Sequence, residues 1–543
     1  MKKVVLLFLV SLFFLKADII DIVNRSNSSY KSLLKELYLL NNKELFWVDK
    51  PSLYSSLIRV LNMDRYNYLH KNLNRTLITQ YAFKRDTKGL NRLEREYFDL
   101  ILSDAFLRLL HFVRVGDVDW NLVKQKMKIL KKEQDIHAIW ELTPKKMPLA
   151  KDIYPHLKRG DLQRYLESQI GQRRRYNKLI ALLKRYEEMP PFRKIKNGRI
   201  LKYKDRSRRI YEIKRRLRLF GDFPQSGSIN RNFDRDLAFA LARFKKRMNL
   251  APGAFIDNRV IYYLNLPKEE YIKTIIVNLA KTKLYPPYFE KEYVEVNIPE
   301  FMLRYYKNGK VIFKSEIVAG MIERPTPIFS DFLEYVVLNP TWTIPPTVLK
   351  KDFFPALKED PSIIKSSKLH FFRGSKEVFP SVSKILSYEN KIESFPYRIV
   401  QAPGADNALG KMKFMFPNKY SVYLHDTPHK KAFAYRYRLY SSGCMRVASP
   451  REFLESLRPV LVSNPSSATL DRILSTNKMV RFNLKRKIPI HIVYFTIAWE
   501  YGSPRFLYDV YLYDKMIWES MAGHKKSTFV VPQKRLEKSR YGN

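Results

Sequence analysis

The stretch SVYLHDTPHKKAFAYRYRLYSSGCMR, residues 421–446, decides how the rest of the chain is read. It contains the only cysteine in 543 residues, Cys444, which follows Ser441, Ser442 and Gly443. His425 stands upstream in an alternating apolar run with Val422 and Leu424, a pattern that predicts a buried strand. A free cysteine has a pKa of about 8.5, so it needs a base or a cationic neighbour to ionise at neutral pH. Histidine is the usual partner. The small residues before Cys444 allow a tight turn whose backbone N–H groups face inward, as an oxyanion would require. By itself, a lone cysteine in a protein of this size is more often an inert core thiol.

Working outward, Lys and Arg number 100 against 53 Asp and Glu, a net charge of +47. Such an excess points to a polyanionic partner, with nucleic acid as the first candidate. The N-terminus argues against nucleic acid. Lys2 and Lys3 precede a short apolar run, residues 4–15, followed by Lys16 and Ala17. This is the pattern of a signal peptide over residues 1–17. The run is shorter than the roughly 20 residues that a membrane span needs. Leu15 is an imperfect residue three before the cleavage point, so an uncleaved membrane anchor is the alternative. Export predicts a periplasmic protein whose basic surface meets cell-wall peptides with free carboxylates or the anionic envelope surface; the plainer explanation of the charge is solubility. In an oxidising compartment most cysteines are paired. A single one is either buried or kept for reactivity.

Residues 18–190 carry helical periodicity, as in Leu33, Leu34, Leu37 and Leu40 or in LEREYFDLILSDAFLRLLHFV, closed by Gly116 and Asp117. A helix from Leu162 to about Glu188 ends this part at Pro190-Pro191. The polar, basic residues 191–208 predict a linker with a turn at Asn197-Gly198. Residues 209–268 predict a compact helix–turn–helix–turn–helix unit. Residues 285–518 are mainly of strand pattern, beginning with a hairpin at Asn308-Gly309. Within them, residues 348–397 lose the strand rhythm. PREFLESLRP reads as a helix, and KIPIHIVYFTIAWE and RFLYDVYLYD as two last strands. Residues 519–543 read as a basic tail. The fold class is therefore α+β and multidomain.

The segments H-D-T-P and S-S-G-C-M-R-V, with their spacing, resemble the active-site signature of the YkuD-type L,D-transpeptidases. N-I-P, N-P-T-W and N-A-L-G-K-M-K-F-M-F-P-N, in that order upstream, are similar to the YcbB-like group of that family. The resemblance implies a helical scaffold, a peptidoglycan-binding domain over the three helices, and a mainly β catalytic domain with a capping subdomain inserted at about 348–397. It also implies that Cys444 is the nucleophile and His425 its base, with the oxyanion held at Gly443. The implied reaction attacks a peptidoglycan tetrapeptide stem at the L-centre carbonyl of its diamino acid, releasing D-Ala. The thioester then passes to the side-chain amine of a diamino acid on a neighbouring stem, giving a 3–3 cross-link. No metal or organic cofactor is expected, and the protein is expected to be a monomer.

Other site residues carry two readings each. Arg446 either orients a stem-peptide carboxylate or makes a structural salt bridge. Tyr423, two residues before His425, shares its strand face and either lines the pocket or packs in the core. Trp342 either walls the donor groove or packs. Ser442 stands where many shorter relatives carry a second histidine, so another acceptor must orient His425. An L,D-carboxypeptidase, with water in place of the amine, uses the same residues; a peptidoglycan-binding anchor would need no thiol. A zinc peptidase is disfavoured, because Pro428 lies between His425 and His429 and no H-E-x-x-H is present.

Overall fold

The computed structural model describes residues 18–63, 73–500 and 502–521. The expected signal peptide and all of the tail beyond Met521 lie outside the described residues. The N-terminal part is helical and packs around α1, Arg92–Arg114, whose start is closed by a reciprocal Asn91–Glu94 capping box. The fully buried Asp99 of α1 accepts from Tyr38 Oη at 2.8 Å and from the N–H groups of Phe46, Trp47 and Val48. Those four donors fix the 46–48 loop to the helix, because a buried carboxylate must be satisfied.

The helix expected over 162–188 is two helices, Leu162–Gln169 and α2, Arg173–Glu187. A Cβ at Gly171 would collide with the Thr282 carbonyl. The N–H groups of Gln172 and Arg173 donate to the carbonyls of Pro286 and Pro287, both at 2.8 Å. A distant segment imposes this break, so the local periodicity carries no sign of it.

Residues 191–208 are not a free linker. Leu201–Lys202 pairs with Phe255–Ile256, and the Asn265 amide bonds both the N–H and the carbonyl of buried Ile195. The side chains are polar, but the backbone is laid onto the three-helix unit of α3 (Arg208–Leu219), α4 (Arg235–Arg247) and α5 (Asn258–Leu264). Ser207, Asp234 and Asp257 cap these helices in turn. Helix α6, Lys268–Thr282, then joins the halves: Lys281 pairs with Asp514 at 2.5 Å, and the Lys283 ammonium donates to the Phe112 carbonyl at 2.6 Å.

The C-terminal part is a rolled sheet. Its first strands are β1 (Glu292–Asn297), β2 (Met302–Lys307), β3 (Lys310–Gly320) and β4 (Ser330–Leu338). Asn308 and Gly309 both take positive φ, 48° and 76°, as a two-residue hairpin turn between β2 and β3 requires. An inserted unit follows, with strands β5 (Trp342–Thr343), β6 (Leu369–Arg373), β7 (Lys376–Val378) and β8 (Arg398–Gln401) in the order β5-β8-β6-β7. It has its own small core, including Leu349, Phe354, Phe371 and Ile399. The insertion is wider than 348–397, because the strands flanking that stretch belong to its sheet.

The main sheet resumes with β9 (Met412–Met415), β10 (Leu424–His425), β11 (Leu439–Ser441), β12 (Met445–Val447) and β13 (Val480–Val493). Its order is β11-β3-β12-β10-β9-β4-β13-β1-β2, and β2 pairs back onto β3. Helix α7, Pro450–Leu457, packs on it from the PREFLESLRP segment. The last expected strand is strand only over Ser503–Phe506; after Leu512 (φ 59°) the chain forms helix α8, Tyr513–Glu519. Asp509 and Asp514, read as strand positions, turn instead towards Tyr494 and Lys281. The chain stays packed through Met521, which bridges to Val118, so the expected tail begins later than 519. Among the described residues no helix is long and apolar enough to cross a membrane.

Candidate active site

Side chains alternate across a sheet, so Lys413, His425 and Arg446 share the face opposite Leu424, although Tyr423 also belongs to the main core and Cys444 packs against it. Leu424 faces Phe414 of β9 and Met445 of β12, and all three are buried in the main core. The intervening residues point to the other face. There Lys413 pairs with His425, His425 pairs with Arg446, and one step back Tyr423 stands beside Cys444, its carbonyl accepting the Met445 N–H at 3.1 Å. The parallel pairing of β10 with β12 thus brings five residues of the notable stretch and its upstream motif onto one patch. From strand spacing and rise, Cys444 and His425 sit diagonally with Cα atoms about 8 Å apart.

The upstream motif builds the floor beneath this patch. The Asn418 amide ties Phe416 to Val422 by donating to their carbonyls at 2.6 and 2.7 Å, and its oxygen accepts the Val422 N–H. Gly410 lets Asp426 come close: its φ is 59°, and a Cβ there would lie against Asp426 Oδ2 and 2.7 Å from Thr427 N. Asp426 in turn accepts the Lys411 N–H at 2.8 Å and the Lys430 ammonium at 2.5 Å. The glycine of N-A-L-G and the aspartate of H-D-T-P therefore interlock.

His425 is buried, and its Nδ1–H donates to the Asp426 carbonyl at 2.5 Å. That carbonyl is the acceptor that the sequence did not reveal, and it leaves Nε2 as a bare base. Burial, then the charges of Arg446, Lys413 and Lys430, push the imidazole down to about 3. The half-buried Cys444 thiol is pushed up to about 11 by burial, against the favourable pull of Tyr423, Lys413 and Arg446. The resting pair at neutral pH is a thiol and a neutral imidazole, not a preformed thiolate–imidazolium pair. The sulfur lies 3.8 Å from the Ser421 carbonyl.

The turn at Gly443 is the other half of the site. Gly443 has φ 107°, and a Cβ there would lie 3.9 Å from the Pro325 carbonyl. Ser441 Oγ donates to the Cys444 carbonyl, and the Met321 N–H donates to the Ser441 carbonyl at 2.8 Å. Among the described residues no protein acceptor takes the N–H of Gly443 or of Cys444. Ser442 is exposed beside them.

Arg446 makes no ion pair among the described residues, and its buried Nε has no partner there. The Tyr423 hydroxyl is within reach of both the sulfur and Trp342. Trp342 packs against both the main core and the core of the inserted unit, at the seam between them. Arg324, on the loop behind Gly443, pairs with Asp352 of the inserted unit at 3.0 Å. His429 is exposed while His425 is buried, so the two do not converge. Among the described residues no group of three or more His, Cys, Asp or Glu is gathered to hold a metal. Sequence reading passed over Lys413, whose signal was a charged residue inside the apolar strand MKFM.

The rolled sheet brings a cysteine turn and a buried imidazole onto adjacent strands. Residues 291–463 match the family described as YkuD, L,D-transpeptidase catalytic domain, and residues 32–183 match one described as a Scaffold domain. The chain carries a YkuD L,D-transpeptidase catalytic domain joined to a scaffold domain. Among individual proteins, it is 31% identical over 258 residues to a Haemophilus influenzae protein named "Putative L,D-transpeptidase". That match covers 47% of this chain and 51% of the relative, so the chain spans about half the length of the curated relative it matches. A solved structure titled as the Ldtfm-avibactam carbamoyl enzyme is 14% identical, over 42% of this chain and 61% of that one, with a TM-score of 0.19. An L,D-transpeptidase (Yku) from Stackebrandtia nassauensis is 11% identical, over 56% of this chain and 100% of that one, with a TM-score of 0.18. Likenesses of that size are too slight to argue from.

Proposed function

We propose that this chain is an exported, cysteine-dependent L,D-transpeptidase that forms 3–3 cross-links between peptidoglycan stem peptides. One observation carries the reading: Cys444 and His425 share one face of two adjacent parallel strands, with Nδ1 of the imidazole engaged by a backbone carbonyl. His425 Nε2 accepts the thiol proton as the sulfur attacks the L-centre carbonyl of the donor diamino acid. The unclaimed N–H groups of Gly443 and Cys444 face the forming oxyanion, where one such donor is worth about 3–4 kcal/mol. Collapse breaks the C–N bond, and the imidazolium returns the proton to the departing D-Ala amine. The acceptor amine then attacks the thioester, passes its proton to His425, and the thiol leaves reprotonated. The resting imidazole is neutral, so its Nε2 carries no proton at the start of either half.

Arg446, which has no carboxylate partner among the described residues, orients a stem carboxylate. Tyr423 and Trp342 line the donor groove under the inserted cap, and Ser442 sits at its open edge. The three-helix unit holds the wall. The test is muropeptide mass spectrometry on purified tetrapeptides. Wild-type protein should yield dimers with loss of D-Ala, and Cys444→Ala none, while sacculus binding persists. Cross-linking that survives Cys444→Ala overturns the mechanism; wild-type product of tripeptides alone assigns the chain as a carboxypeptidase.

A further inference from the structure

We propose that Lys413 is a positioning residue for the nucleophile: its ammonium, held against Tyr423 on the strand beside His425, is the counter-charge of the Cys444 thiolate. The inference rests on the reading of Cys444 as the nucleophile and goes beyond it, because it moves the electrostatic role away from the histidine.

Four observations converge. Lys413 pairs in register with His425 and so points to the same face as Tyr423 and Cys444. Its Nζ lies 3.9 Å from the centroid of the Tyr423 ring, a cation–π contact that aims a flexible side chain across the strand towards the cysteine. Among the described residues it has no carboxylate partner, although burial depresses its pKa and the cysteine is the one charge that raises it. A largely buried ammonium without an anion is costly to keep, and the anion available to this one is a thiolate. Finally, the same positive charge lowers the His425 pKa, so whatever favours the thiolate here disfavours the imidazolium.

The groups facing the sulfur are few. From β9 comes Lys413; from just before β10 come Tyr423 and the Ser421 carbonyl; from β12 comes Arg446. Trp342 reaches the Tyr423 hydroxyl from the inserted unit. No carboxylate stands among them. Arg446 adds a second positive charge, but its pull on the sulfur is weaker than that of Lys413. His425 contributes no charge at rest. When the thiolate forms, the ammonium balances it and the neutral histidine is left free to carry protons.

The test is alkylation of Cys444 by iodoacetamide, which needs no wall substrate. The thiol proton leaves to solvent, a C–S bond forms and iodide departs, so the rate follows the thiolate. An opposite charge within about 4–6 Å moves a pKa by about 1–3 units. Part of that is offset because a more basic thiolate is the better nucleophile. Lys413→Met should therefore alkylate about three- to thirtyfold more slowly between pH 7 and 9. Lys413→Arg should restore the rate to within about twofold of wild type. Thermal unfolding accompanies each variant, and Lys413→Gln replaces the Met variant if the latter fails to fold. A Lys413→Met profile that overlays wild type overturns the proposal, as does a Lys413→Arg variant that stays as slow as Lys413→Met. Cross-linking by Cys444→Ala would sink the proposed function yet leave this measurement intact, so the two failures are distinct.

Discussion

Replacing Gly410 with Ala tests whether the upstream motif acts on the imidazole at all. The new Cβ would meet Asp426 Oδ2 and would lie 2.7 Å from Thr427 N, at a φ of 59°. A left-handed alanine costs about 1–2 kcal/mol. Displacing Asp426 from Lys411 and Lys430 loses one charge-assisted hydrogen bond or more, at about 1.5–3 kcal/mol. Together these give a loss of about 2–5 kcal/mol and a fall in Tm of about 5–15 °C for a domain of this size. The functional effect should be larger than the stability loss suggests. Asp426 also supplies the carbonyl that holds His425 Nδ1, and a shift of about 1 Å in a catalytic group costs about a hundredfold in rate. The assay is initial-rate dimer formation from tetrapeptide muropeptides, well below the Tm of the variant, alongside differential scanning fluorimetry. The expected result is a fall in kcat of about a hundredfold with KM nearly unchanged. A variant that loses stability but keeps wild-type kcat would refute the chain of contact from Gly410 through Asp426 to the imidazole.

Two further expectations concern stability. His425 is held near 3 when folded and near 6.5 when unfolded, so the unfolded chain binds the extra proton between those values. Its contribution is whole above pH 6.5 and is lost as pH falls towards 3, by up to about 4–5 kcal/mol. His425→Gln should therefore lose less stability over that window than wild type in urea titrations at fixed pH, and parallel curves would contradict it. At the junction of the two halves, Asp514→Ala leaves Lys281 buried without its partner. That should cost about 3–5 kcal/mol, and the double replacement Lys281→Met with Asp514→Leu should recover most of it; urea unfolding of the full chain measures both.

Much of the architecture was readable because it is written in local periods. The α1 stripe, the three capped helices and the Asn308-Gly309 hairpin each announce themselves within a window of a few residues. The misreadings share one cause, which is that a partner distant in sequence decided the local shape. Gly171 breaks a helix because the Thr282 carbonyl presses on it, and Ile195 lies down because Asn265 receives both of its backbone groups. Asp509 and Asp514 end a strand pattern because their donors stand on Tyr494 and α6.

At the site the division is the same. The sequence alone singled out the thiol, the imidazole and the glycine between them and the helix that follows, because nucleophile, base and tight turn require particular residue types at a particular spacing. Only the tertiary structure decided which strand lies beside which. Parallel pairing of β10 with β12, with β9 alongside, put Lys413 next to His425 and gave Asp426 its carbonyl role. Strand neighbours are set by long-range burial of Leu424, Phe414 and Met445, and no short window of sequence contains that information. The charge state of the pair is likewise a tertiary property, since burial and three nearby cations, not composition, keep the imidazole neutral.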